Sequence, residues 1–355
     1  MPKGVRRIVT KHSETGKAVV FSAQEVPIKK WAGADAAGSV VWSTAGVPAD
    51  NSDGDLDADK RNVGMTLHGG SVFRVTEFGP GFSSPMHRTL STDYCLVLSG
   101  ELELRLDGGD VIRLFAGDTL VQRGTNHAWR NPSKTARCRF VICMIESEPI
   151  KIGARSLGPT PSWKMIVSSL KTLLTRSSGR QSTPESSPPQ VDRKPGFLRR
   201  VVTAHDQAGK AVVASDEALS ISARPGHDGG EAVVWSTSNI PSANSDGEFM
   251  DRKVDVGAAF QGGSLFRVME LQPERSIPML RTRSIDYCMV LSGELELLLD
   301  GGETVTLLPG ESTVLRGTSH EWRNARRDAS CRFVVFMIES QPITINGKTL
   351  EPALY

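Results

Sequence analysis

The chain has 355 residues, with 42 Lys and Arg against 40 Asp and Glu and a formal net charge of +2. That length suits two ordinary domains of roughly 100–200 residues each, and the balanced charge argues against the basic stripe by which nucleic-acid and anionic-membrane partners are recognised. No stretch approaches the roughly 20 apolar residues of a membrane span, and Met1 to Gly16 is polar and basic without the apolar segment of a secretory signal, so a soluble, cytoplasmic protein is expected.

In chain order the signals are those of strands. Arg6-Arg7-Ile8-Val9-Thr10 and Val40-Val41-Trp42-Ser43-Thr44 are followed by Ser71 to Phe78, rich in β-branched and aromatic residues. Glu101 to Leu106 alternates strictly between polar and apolar, and Asp107-Gly108-Gly109 supplies a hairpin turn with glycine where positive φ is needed. Arg137 to Ile145 reads as a buried strand. Short strands separated by glycine turns point to an all-β sandwich or barrel.

The same strings then return at a constant offset of 193: Arg6 at Arg199, Trp42 at Trp235, and Leu98-Ser99-Gly100-Glu101-Leu102-Glu103-Leu104 at Leu291 to Leu297. The copies align from Arg6 to Pro149 without a gap, and a period this long means duplicated domains, not a solenoid. The expected organisation is a first domain over 1–157, a linker over 158–196 and a second domain over 197–355. Within the linker, Ser177 to Pro195 is Ser-, Pro- and charge-rich, as flexible linkers are. Trp163, Ile166, Val167, Leu170, Leu173 and Leu174 fall at helical spacing, with Lys164, Lys171 and Arg176 among them. A short helix lying on the chain's own barrels is the preferred reading, over one docked on a membrane or partner.

Five cysteines, Cys95, Cys138, Cys143, Cys288 and Cys331, sit inside apolar runs with no Cys-x-x-Cys pair. An odd count without framework spacing predicts reduced, buried thiols in an intracellular protein.

The chemistry concentrates between Gly81 and Asn131. Gly81, His87, Thr89, Asp93 and Gly100, followed by Gly117-Asp118 and by Gly124-Thr125-Asn126-His127-Ala128-Trp129-Arg130-Asn131, resemble the two motifs of the cupin family. The resemblance covers both copies and implies two tandem cupin barrels of the jelly-roll or double-stranded β-helix kind. Thr89 stands where the common motif has a second His, and Asp93 where it has Glu. His87 and Thr89, two apart on a strand, face the same way. His127 converges on them from another strand, with Asp93 as the anionic ligand. Two imidazoles and a carboxylate suit a divalent metal with open positions, non-haem Fe(II) first and Mn, Zn or Ni as alternatives. The opposing reading makes His87 and His127 satisfied interior histidines. Thr89, Tyr94, Arg123, Trp129 and Arg130 are candidates to line the pocket and hold substrate. No nucleophilic triad, phosphate loop or nucleotide fingerprint is present.

The second copy acts as an internal control. It has Leu280 for His87, Thr282 for Thr89, Asp286 for Asp93 and His320 for His127. Losing one of three ligands leaves too little for a defined site, so this barrel is read as degenerate. Its retention of the Asp and second His also allows Asp93 and His127 a structural role.

The wording around His87 and His127 resembles the cupin-domain-containing oxidoreductases of fungal gene clusters for salicylaldehyde-type aromatic polyketides. That resemblance implies a tailoring oxidoreductase acting on an oxygenated aromatic or polyketide small molecule, with His87 and His127 catalytic and one divalent metal in the first barrel. Two further readings remain open: a lyase or isomerase using the same pocket for dehydration, enolisation or decarboxylation, and a non-catalytic binding scaffold. The duplication suggests that the two barrels pack as an intramolecular pseudo-dimer.

Overall fold

The computed structural model describes residues 4–52, 58, 61–160, 196–223, 228–244 and 262–354. The expected linker helix, Trp163 to Leu174, lies outside the described residues. Among the described residues every regular element is a strand.

The first barrel is built from two sheets. In the larger, Ser91–Ser99 lies between Thr119–Arg123 and Cys138–Glu146, and the sheet continues through Ser71–Phe78 to Ala36–Thr44. The smaller sheet sets Glu101–Leu106 between His127–Arg130 and Val111–Phe115. The alternation read in Glu101 to Leu106 places Leu102, Leu104 and Leu106 in the barrel core, beside Cys95, Val97, Phe140 and Ile142. Gly100, with a φ of 78°, makes the tight turn between two strands, and a Cβ there would lie 2.5 Å from the Arg137 carbonyl oxygen. The second barrel repeats this plan, with Ser284–Ser292 between Ser312–Arg316 and Cys331–Glu339.

The barrels exchange their N-terminal arms. Val5–His12 pairs in parallel with Ser312–Arg316 of the second barrel, with Arg7 opposite Ser312. Phe197–His205 pairs in parallel with Thr119–Arg123 of the first, with Arg200 opposite Thr119. The two contacts are related by the same offset of 193, so each arm extends the other copy's sheet.

Strand parity divides each sheet between a barrel interior and a shared seam. On Ser91–Ser99, Asp93, Cys95 and Val97 face inward, whereas Tyr94 and Leu96 join the core between the barrels. That seam stacks Phe73 on Tyr287 at 5.0 Å and Tyr94 on Phe266 at 5.2 Å, with Phe336 against both Phe73 and Phe266. Each fully buried aromatic removes on the order of 150–250 Å² from water, about 4–6 kcal/mol at ~25 cal/mol per Å². All five cysteines are free and buried, and burial raises each thiol's pKa.

Candidate active site in the first barrel

Two histidines are brought face to face by backbone pairing. The His87 N–H donates to the His127 carbonyl and the His127 N–H to the His87 carbonyl, both at 2.8 Å. The ring centroids are 4.2 Å apart. Each Nδ1 donates to a backbone carbonyl at 2.9 Å, that of Pro85 for His87 and of Thr125 for His127. A carbonyl can only accept, so both rings carry their proton on Nδ1 and keep an Nε2 lone pair. Burial lowers both imidazole pKa values, His127 further because His87 and Arg88 are near, so the pair is neutral.

Gln122, inward-facing on Thr119–Arg123, touches Nδ1 of His127. Because that nitrogen carries the proton, the favourable amide orientation turns Oε1, otherwise without a partner, toward it. His127 is thus held by two acceptors on one side, and its ring edge meets Trp129 at 5.4 Å.

Asp93 lines the same small cavity as His87, His127, Thr89 and Trp129. Its Oδ1 is buried with no hydrogen-bond partner. Desolvation pushes the carboxyl up to about 7, against the opposing effects of Ser91 and Arg74. In the second barrel Ser284 donates to Asp286 Oδ1 at 2.5 Å and Thr282 to Oδ2 at 3.3 Å. In the first, Ser91 donates to Thr89 Oγ1 at 2.8 Å, as Ser284 does to Thr282 Oγ1 at 2.9 Å, but no bond reaches Asp93 Oδ1. The retained aspartate is therefore tied down in one copy and left with a free oxygen in the other.

These donors have the chemistry a divalent metal requires: two neutral imidazoles with free Nε2 atoms and a carboxylate oxygen with no internal partner. Among the described residues no three His, Cys, Asp or Glu side chains stand together as a ready-made metal cluster. The histidine pair is what the structure assembles, and Asp93 stands beside it in the cavity wall.

The other expected residues divide. Thr89 and Trp129 line the cavity, and Trp129 is stacked on Phe140 at 5.7 Å. Tyr94 does not reach the cavity. It points to the opposite side of its strand from Asp93 and bonds Ser264 Oγ of the second barrel at 2.8 Å. Arg123, next to inward-facing Gln122, is likewise turned to the seam, 5.6 Å over the Trp235 ring. Arg130 lies on the smaller sheet and pairs with Glu103 at 3.5 Å. His68 has an exposed ring paired with Glu146.

Sequence reasoning missed Trp31 and Arg74 as cavity residues and Gln122 as a partner of His127. Gln122 follows from parity with Arg123, and Trp31 has no signal outside the fold. Arg74 was obscured by its repetition as Arg267. The inner cavity is only about 40 Å³, room for little more than a water. It shares Trp31, Met65, Arg74, His87 and Thr89 with an outer cleft of about 1210 Å³.

At the second barrel's matching register, Leu280 is paired with His320 where His87 is paired with His127. The gapless offset seen in sequence thus holds in three dimensions at the site itself.

Residues 74–145, the strands that carry this cavity, match the Cupin domain. A stretch of 161 residues, 43% of this chain, is 34% identical to 89% of the oryzines biosynthesis cluster protein J of Aspergillus oryzae. The chain belongs to the cupin family. A similar stretch of 157 residues is 35% identical to the cupin-domain-containing oxidoreductase virC of Hypocrea virens, covering 42% of this cupin and 81% of that protein. Over 95 residues, 27% of this chain, it is 52% identical to the phomopsin biosynthesis cluster protein C' of Diaporthe leptostromiformis. That match spans half the length of the phomopsin protein. No helix among the described residues is long and apolar enough to cross a membrane.

Proposed function

We propose that this cupin is a metal-dependent tailoring oxidoreductase of secondary metabolism, working through its first barrel on an oxygenated aromatic or polyketide small molecule. The observation that carries the reading is the asymmetry of one register: His87 against His127 in one barrel, Leu280 against His320 in the other. The names of the relatives, biosynthesis cluster proteins and a cupin-domain-containing oxidoreductase, support the reaction class.

His87, His127 and Asp93 would hold the metal, Fe(II) first among the candidates. A divalent metal bound there would polarise a carbonyl or phenol oxygen or engage dioxygen. The chain's own residues set the stage. The Pro85 and Thr125 carbonyls, with Gln122, fix both imidazoles as neutral Nε2 donors. Trp129, Phe78 and Phe140 wall the cavity with apolar surface. Thr89, with Ser91 donating to it, is placed to orient a substrate oxygen. The exchanged arms make the two barrels one intramolecular pseudo-dimer, in which the second barrel supports the first. Five buried free thiols fit a reducing, cytoplasmic setting.

A lyase or isomerase is the second reading, favoured by the Asp93 carboxyl near 7 facing neutral histidines in a small cavity, a poise suited to proton transfer. Oxygen uptake with a cluster-derived aromatic aldehyde or alcohol separates the two. Uptake that stops with chelator supports the oxidoreductase, and turnover without oxygen uptake and indifferent to chelator overturns it.

A further inference from the structure

The two barrels differ at a second pair of positions, and the difference exposes a cation. In the second barrel Arg267 Nη1 donates to Glu231 Oε2 at 3.3 Å, both side chains being largely buried. Removing 193 from each number gives Arg74 and Gly38. The registers agree: Gly38 lies opposite Thr76 and Glu231 opposite Met269. The first barrel therefore keeps the arginine and lacks its carboxylate.

Among the described residues Arg74 finds no replacement acid. Its guanidinium donates to the Gly64 carbonyl at 2.7 Å and meets Met65 Sδ at 3.6 Å. No described carboxylate is bonded to it, and Asp93 acts on it only through space. Burial pulls its pKa down to about 10, so it stays a cation, part-buried in the cleft wall. Leaving such a charge without an anion is costly unless a ligand supplies one.

Arg74 borders both cavities, where the inner space beside the histidines adjoins the outer cleft. The described wall of that cleft also carries Lys29 and Arg88, and the one carboxylate among its described lining residues is Glu146. Glu146 is already engaged by His68 and by the Gly69 N–H at 2.6 Å. The outer cleft is of ligand size, whereas the inner one is not. The indole of Trp31 sits over Gly38, where a Cβ would lie 3.3 Å from Trp31 Cζ2.

We infer that the first barrel takes a substrate bearing a carboxylate, held by Arg74 where Glu231 meets Arg267 in the other barrel, with the substrate's ring against Trp31. This rests on the first barrel's cavity being the reactive one. It adds a substrate class and a residue that fixes orientation: a charge-assisted bond at Arg74 would set which end of the molecule reaches the histidines. Gly38 is then the specificity switch, because a carboxylate there would satisfy Arg74 internally and close the site.

The test is calorimetric titration of the full chain with benzoate and phenylacetate, and with their uncharged amides. The parent binds the acids saturably and the amides at least about tenfold more weakly. Arg74→Gln lowers acid affinity by about tenfold or more. Gly38→Glu abolishes acid binding, whereas Gly38→Gln, of the same size but neutral, weakens it measurably less. Equal binding of acid and amide, no saturable acid binding by the parent, parent-like affinity in Arg74→Gln, or equal affinity in the two Gly38 variants each overturns the inference. Metal content measured on the same samples keeps the two readings apart. Arg74-dependent acid binding without metal leaves the substrate class standing and removes the metal reading. Metal without acid binding does the reverse.

Discussion

His87 stands opposite His127 across a reciprocal pair of 2.8 Å backbone hydrogen bonds, with both rings buried and neutral. Nothing local to either residue forces this. It follows from where two strand ends meet, and the second copy repeats the meeting with Leu280 in place of the first histidine. The backbone thus tolerates an apolar residue at this position, so the first barrel's second imidazole is not needed for folding.

Tyr94 serves the seam. Tyr94→Phe removes its bond to Ser264 and leaves the ring stack intact. The expected result is a loss of about 0.5–1.5 kcal/mol in urea unfolding, with metal content and catalysis unchanged. A fall in catalysis without a fall in stability would return Tyr94 to the pocket.

Asn131 explains much of the repeated Trp-Arg-Asn string. Its Nδ2 reaches the Phe78, Gly79 and Ala136 carbonyls at 2.9–3.1 Å, and that of Asn324 reaches Leu271, Gln272 and Ala329 at 2.9–3.2 Å. Either asparagine changed to Ala orphans buried carbonyls, so Asn131→Ala and Asn324→Ala should each cost about 1–3 kcal/mol. Comparable losses in the two denaturation midpoints check it.

His320 gives the clearest pH signature, because it lies away from the proposed ligands. Burial pulls it down to about 4, whereas the free side chain titrates near ~6.5. Between those values the unfolded chain binds a proton that the folded barrel refuses. Its contribution is therefore intact above about pH 6.5 and is lost as pH falls toward 4. His320→Asn should lose less stability than the parent between about pH 7.5 and about pH 4.5, by about 2–3 kcal/mol at most. Parallel acid limbs in the two unfolding series would contradict this.

The duplication, the barrel class and the asymmetry at His87 could be read from the chain, because they rest on matched strings and on period-two alternation. Tyr94 and Arg123 were misplaced although their neighbours held the answer. If Asp93 faces inward, Tyr94 must face out, and Gln122 and Arg123 divide in the same way. The arm exchange could not be read, since the parallel contact of Arg7 with Ser312 leaves no local pattern in either strand. Arg74 was hidden for a different reason. Its repetition as Arg267 gives no contrast between the copies, and the informative difference lies at Gly38 and Glu231, on another strand.

The central claim is that the first barrel alone holds a metal, through His87. Elemental analysis of the full chain, purified without chelator, tests it most directly alongside His87→Ala and His320→Ala. The account predicts about one equivalent of divalent metal in the parent and in His320→Ala, and its loss in His87→Ala. Equal loss in both variants, or no metal in the parent, would contradict it.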